Sequence, residues 1–238
     1  NGYANFHRLA LGEKHTCVVA DGNFGGHFPT RARVFCLGAN TEGQLGDGLG
    51  IQRNTLSHAV RIGGGGDLPA DDLLGGFNGA CARDQMGNIN NDGAGFYCWG
   101  ERLPFSGGAI QPTAIQESFP FDYQRDTLVM RGQTACWVTA NFQGNGGAYG
   151  IQCTGANIHG LADPTQPDSD NYQLGDNAGP GLTTTFTNTT LRLGASTGCA
   201  IMRPRGQLHE KLHCWGDPRG GRSGQALKPL TLHPPVYP

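Results

Sequence analysis

The string with the plainest chemical reading is His209-Glu210-Lys211-Leu212-His213, a literal H-E-x-x-H. On a helix its two histidines share a face and hold zinc, while the glutamate takes a proton from bound water. The flanks argue for a different local structure. Pro204-Arg205-Gly206 makes a turn before the string and Cys214-Trp215-Gly216 follows it, so the segment reads as a strand. Side chains at i and i+4 of a strand stand about 13 Å apart, too far to share one zinc. Only His233 remains downstream as a third ligand. Asn88-Ile89-Asn90-Asn91-Asp92-Gly93 has the residue types of a calcium loop, but it is short and lacks the closing bidentate Glu; a β-turn uses the same residues. Gly63 to Gly66 is followed by no Gly-Lys-Ser/Thr and is no phosphate loop. These readings assign no catalytic residue, no metal site and no cofactor.

The remaining chemistry is thiol chemistry. Cysteines stand at 17 and 36, 81 and 98, 136 and 153, 199 and 214. Short C-x2-4-C knuckles, which structural zinc sites use, do not occur. The midpoint of each pair falls in turn-forming text: Asn23-Phe24-Gly25-Gly26, Asn88 to Gly93, Gln143-Gly144-Asn145-Gly146-Gly147 and Pro204-Arg205-Gly206. Two strands folded about a central turn bring residues equidistant from it face to face. Cysteines so placed reach disulfide geometry. The internal symmetry therefore selects Cys17–Cys36, Cys81–Cys98, Cys136–Cys153 and Cys199–Cys214 from roughly a hundred possible pairings. Each bridge closes a loop of about 15 to 20 residues, worth roughly 3 kcal/mol in the chain-entropy model. Four bridges imply an oxidising compartment and an extracellular or cell-surface location.

The elements that carry these pairs recur. The first cysteines of successive pairs are 64, 55 and 63 residues apart, which signals a repeat. An apolar segment ending in Gly precedes the first cysteine in Leu9-Ala10-Leu11-Gly12, Leu128-Val129-Met130-Arg131-Gly132 and Leu191-Arg192-Leu193-Gly194. Cys-x-Gly closes all four units, at Gly38, Gly100, Gly155 and Gly216. The reading is all-β: four repeats at roughly 5–57, 58–125, 126–188 and 189–238, each stapled by its own disulfide. An insertion, Leu161 to Asn171, interrupts the third repeat.

The first repeat carries the fullest text: Gly12-Glu13-Lys14-His15-Thr16-Cys17, then Cys36-Leu37-Gly38-Ala39-Asn40-Thr41-Glu42-Gly43-Gln44-Leu45-Gly46-Asp47-Gly48. This resembles the repeat of the regulator-of-chromosome-condensation family, Gly-x-x-His-(Ser/Thr) followed by Trp-Gly and Asn-x-x-Gly-Gln-Leu-Gly-x-Gly. Later units keep Cys98-Trp99-Gly100, Gly155-Ala156-Asn157 with a displaced Gln173-Leu174-Gly175-Asp176, and Cys214-Trp215-Gly216. The resemblance implies a single β-propeller-like domain over 1–238, each repeat one blade of four antiparallel strands. It makes His15 the family's buried, hydrogen-bonding histidine. The family usually closes seven blades, and four are visible here. The paired cysteines resemble secreted relatives, so the nuclear member's nucleotide-exchange activity does not carry over.

Composition narrows the partners. Lys plus Arg is 17 and Asp plus Glu 19, a net charge of -2 with no basic run, so nucleic acid is not expected. No apolar stretch approaches the roughly 20 residues of a membrane-spanning helix. A chain starting at Asn1 without Met or signal peptide reads as a processed mature chain. Forty glycines suit many tight turns. Asn188-Thr189-Thr190 is an N-glycosylation sequon within a Thr-rich run that also suits an edge strand. The function expected is an extracellular, non-enzymatic structural or interaction protein that self-assembles into a filament or surface layer. Its partners would be another copy, another extracellular protein or a glycan. The first segment, Phe6 to Leu11, is an expected contact strand, and the tail stretch Leu227 to Leu232 is expected to donate a strand, either in cis to close its own blade or in trans to a neighbouring copy. The alternative is a lectin-like or inhibitor-like binding module, with Trp99, Trp137 and Trp215 as aromatic candidates.

Overall fold

The structure is a computed structural model that describes residues 5–21, 32–56, 58–63, 65–84, 95–101, 110–117, 128–140, 149–157, 161–162, 183–184, 186–204 and 208–217. The turn text at each pair's midpoint, the insertion beyond Ala162 and the tail from 218 on lie outside the described residues, apart from Pro204. The described residues are all-β. Their strands are β1 (Asn5–Leu11), β2 (His15–Asp21), β3 (Arg33–Gly38), β4 (Asp72–Gly75), β5 (Asn78–Asp84), β6 (Gly95–Glu101), β7 (Gln111–Gln116), β8 (Val129–Arg131), β9 (Thr134–Ala140), β10 (Tyr149–Gly155), β11 (Thr183–Thr184), β12 (Phe186–Leu193), β13 (Thr197–Pro204) and β14 (Lys211–Gly216). They form four antiparallel sheets, ordered β1-β2-β3, β4-β5-β6-β7, β8-β9-β10-β11 and β12-β13-β14. The chain divides into two compact units, Asn1–Pro120 and Phe121–Pro238, with two sheets in each. β12 starts at Phe186, so it runs across the repeat boundary expected at 188/189.

Each sheet holds one disulfide between directly opposed residues: Cys17 and Cys36, Cys81 and Cys98, Cys136 and Cys153, Cys199 and Cys214. The Cα atoms of every pair are 4.1 Å apart, close to the narrow spacing of an antiparallel pair. These are the pairs that the symmetry of the spacing selects.

The recurring glycines have local causes. Gly12 N–H donates to the His15 carbonyl (2.9 Å), Gly76 to Gly79 (2.8 Å) and Gly194 to Thr197 (2.7 Å), closing two-residue hairpin loops. A Cβ on Gly12 would lie 2.0 Å from Cε1 of His15, because the imidazole covers that α-carbon. The Cys-x-Gly glycines all have positive φ: 117° at Gly38, 98° at Gly100, 102° at Gly155 and 104° at Gly216. There the chain crosses the end of the hairpin it has just left. Ala39 N–H reaches the Lys14 carbonyl, Ala156 N–H that of Gln133 and Asp217 N–H that of Ser196, each at 2.8 Å.

Packing within each unit follows one order. Strand residues alternate between faces, so each sheet has a cystine face and an opposite face. In the first unit, Cys17, Cys36, Val19, Val34 and Ala10 cluster with Leu73, Ala80, Ala82, Tyr97 and Trp99. The latter set flanks the Cys81–Cys98 pair in register and therefore faces away from it. In the second unit, Cys136, Cys153 and Ile151 cluster with Leu191, Ala200, Met202 and Trp215, which flank Cys199–Cys214 in the same way. The cystine face of one sheet thus takes the opposite face of the next, once in each unit. Burying Tyr97, Trp99 and Trp215 removes about 150–250 Å² of mostly apolar surface per side chain, which makes these rings leading contributors to each core.

Candidate functional site

The H-E-x-x-H residues are not brought together on a helix. His209 and Glu210 lie exposed in the bend before β14, and the strand expected for the whole segment begins only at Lys211. Pro204 ends β13, opposite Phe186 of β12. Glu210 Oε1 accepts from Arg203 at 3.0 Å. His213 sits in β14 opposite Ala200, where burial and then the nearby Lys211 charge hold its pKa below the usual histidine value. Among the described residues no cluster of three or more His, Cys, Asp or Glu could hold a metal ion.

The polar residues that do converge lie in the loop after Gly38. Asn40 Oδ1 accepts from Leu45 N–H (3.0 Å), and its amide donates to Asp47 (3.0 Å). Asp47 also takes the Leu49 N–H (3.0 Å) and pairs with Arg53 (2.9 Å). Burial alone would raise the Asp47 pKa, but the Leu49 N–H, Arg53 and Asn40 outweigh it and hold the carboxyl below its ordinary value. The side chains therefore organise a loop, and the loop presents the Gln44 carbonyl to Trp99, whose indole N–H donates at 2.9 Å. The third repeat does the same with different letters. Asn157 Oδ1 accepts from Ala162 N–H (2.9 Å), and the indole of Trp215 donates to the Leu161 carbonyl (2.8 Å). Leu161 and Ala162 thus stand where Gln44 and Leu45 do. They belong to the repeat loop and not to the insertion assigned from sequence. The signal was the shared five-residue step from Asn40 to Leu45 and from Asn157 to Ala162, hidden by the loss of Gln-Leu-Gly.

Trp99, Trp137 and Trp215 are all buried, which removes them as a platform for sugar stacking. His15 is buried, and among the described residues neither ring nitrogen makes a well-aligned hydrogen bond. The Gly79 backbone is the polar group nearest in effect to its imidazole. Burial lowers its pKa, and the nearby Gly79 backbone offsets this only in part. Asn188 lies in β12, in the stretch between Phe186 and Thr189 where the register with β13 shifts; its side chain lies outside the described residues.

A further surface feature is β1, the edge of the first sheet. Its register sets Phe6 opposite Ala20, Leu9 opposite Val18 and Leu11 opposite Thr16. Ala20, Val18 and Thr16 alternate along β2, so Phe6, Leu9 and Leu11 share one face. An irregularity between Phe6 and Arg8 makes this possible, because without it Phe6 would point to the other side of Leu9. All three side chains are more than half exposed.

No protein-family model matches the chain, and no curated protein matches it. Among solved structures it is similar to one of an all-β repeat class, the regulator-of-chromosome-condensation-like proteins. That structure is human WBSCR16, with a TM-score of 0.53 and 12% identity over 96% of this chain. The chain spans about half, 52%, of the WBSCR16 chain. At this identity the likeness concerns the fold alone.

Proposed function

We propose that this chain is an extracellular, non-catalytic interaction protein of propeller type, with its four sheets as blades, and that it associates with further copies of itself. The observation that carries the reading is the β1 strip, where Phe6, Leu9 and Leu11 stand exposed on one face of an edge strand. An exposed apolar strip is a surface that a partner can cover. Four disulfides in a chain of this size suit an oxidising, extracellular setting. Supporting the propeller reading are the four sheets of three or four strands, the repeated dock of a tryptophan on the preceding repeat's loop, and the likeness to WBSCR16. The test is light scattering of the oxidised chain across a wide concentration range. Mass that rises with concentration supports self-association, and a monodisperse monomer at every concentration rejects it.

A further inference from the structure

The packing order within each unit identifies which surfaces should meet between copies. Leu9 lies opposite Val18, the residue after the first cysteine of its sheet. The same position is held by Leu73 in the second sheet, opposite Ala82, and by Leu191 in the fourth, opposite Ala200. Leu73 and Leu191 are 6% and 2% exposed, each clustered with the cystine of the sheet before it. Leu9, with no sheet before it, is 62% exposed. The opposite end of the order is open as well. The six cysteines of the first three sheets are at most 1% exposed. Cys199 and Cys214 are only half-buried, and Ile201, two residues along β13 and on the same face, is 42% exposed. Val18, Ala20 and Phe35 of the first sheet are already buried, with Leu56 and Ala59 against them, so the contact left open there is the β1 strip.

We propose that the cystine face of the fourth sheet of one copy docks on the Phe6, Leu9 and Leu11 strip of a second copy. The contact repeats between molecules the outer-strand part of the order found twice within the chain, where Leu73 and Leu191 meet the cystine of the preceding sheet. It is heterologous: each copy offers one of each surface, so copies add head to tail until the rotation closes or a filament grows. The inference deepens the self-association reading and rests on it.

Introducing a charge at each apolar surface tests it in the 238-residue chain. Leu9→Glu removes the strip and Ile201→Glu removes the cystine face; both positions are exposed, and non-reduced peptide mapping verifies that the four disulfides have formed. Sedimentation velocity should show wild type in a concentration-dependent series. Each variant alone should lose association by at least tenfold. An equimolar mixture should give a discrete dimer and nothing larger, because each variant keeps the surface its partner lacks. Either variant assembling like wild type, or a mixture that stays monomeric, overturns the proposed contact while leaving self-association by other surfaces standing. A wild type that is monomeric throughout overturns both. As a second measurement, a photo-crosslinking residue at position 11 of otherwise wild-type chain should join peptides of β13 or β14 of another copy. Crosslinks confined to other segments would sink the pairing of these faces.

Discussion

Replacing Gly38 with alanine tests why Cys-x-Gly closes every repeat, when Gly50→Ala is run beside it. Both glycines have positive φ, 117° and 66°. At Gly50 a Cβ would meet nothing within 4 Å. Its left-handed conformation costs an L-residue about 1–2 kcal/mol, offset by about 0.4–1 kcal/mol from the stiffer unfolded chain. The net loss should be near 1 kcal/mol or below. At Gly38 the φ lies outside the left-handed well, which costs about 1–3 kcal/mol. The Cβ would also sit 2.3 Å from the Lys14 carbonyl oxygen and 2.7 Å from the His15 Cα, both backbone atoms. Relieving that clash pulls Ala39 from Lys14 and forfeits their hydrogen bond, about 1 kcal/mol more. The terms add to about 2–4 kcal/mol, reduced by the same unfolded-chain offset of about 0.4–1 kcal/mol, still a sizeable part of the stability of an ordinary domain. Denaturant unfolding under oxidising conditions, followed by tryptophan fluorescence, measures both variants. Equal losses within about 1 kcal/mol would refute the crossing argument, because dihedral strain alone would then account for both sites.

Other expectations follow from the same geometry. Changing Cys17 and Cys36 together to alanine opens a loop of sequence separation 19 and should cost about 3 kcal/mol, with the other three pairs intact by non-reduced peptide mapping. Glu117 has a raised pKa because of burial, and its Oε1 lacks a hydrogen-bond partner among the described residues. The unfolded chain ionises first, so this group reduces stability as pH climbs through the carboxylate range; Glu117→Gln should stabilise at neutral pH and lose that advantage in acid. A gain independent of pH would show that the charge was not the cause. His15 has a lowered pKa, so the unfolded state binds its proton first. Melting temperature should therefore fall as pH drops below about 6.5, the free histidine value, and His15→Gln should flatten that slope. Wild-type and variant curves that run parallel from neutral to mild acid would count against it.

Much of the local fold could be read from residue spacing, because the cystines sit symmetrically about turns and antiparallel pairing turns that symmetry into contact. The Thr-rich run at Thr183 to Thr190 suits an edge strand by the β-propensity of Thr, and β11 and β12 are edges of two different sheets. Other features had no such signature. The third-repeat loop keeps its Asn157 to Ala162 hydrogen bond but not the letters that mark it in the first repeat. The β1 strip depends on a register irregularity beside His7, and one residue of slip decides which face Phe6 joins. The H-E-x-x-H string was correctly denied a helix by its flanks, yet where β14 starts depended on its pairing with β13, which begins at Met202 opposite Lys211.

The cystines join strands that are neighbours in sequence, at separations of 19, 17, 17 and 15, and no bridge leaves its own sheet. Each thiol therefore finds its partner within the next twenty or so residues to emerge from the ribosome. Oxidation can proceed from the amino to the carboxyl end without any cysteine waiting on a distant segment. The same arrangement makes the repeat a self-contained genetic cassette. Duplicating or deleting one adds or removes a complete cystine, so the array can change length in evolution without ever leaving an orphan thiol.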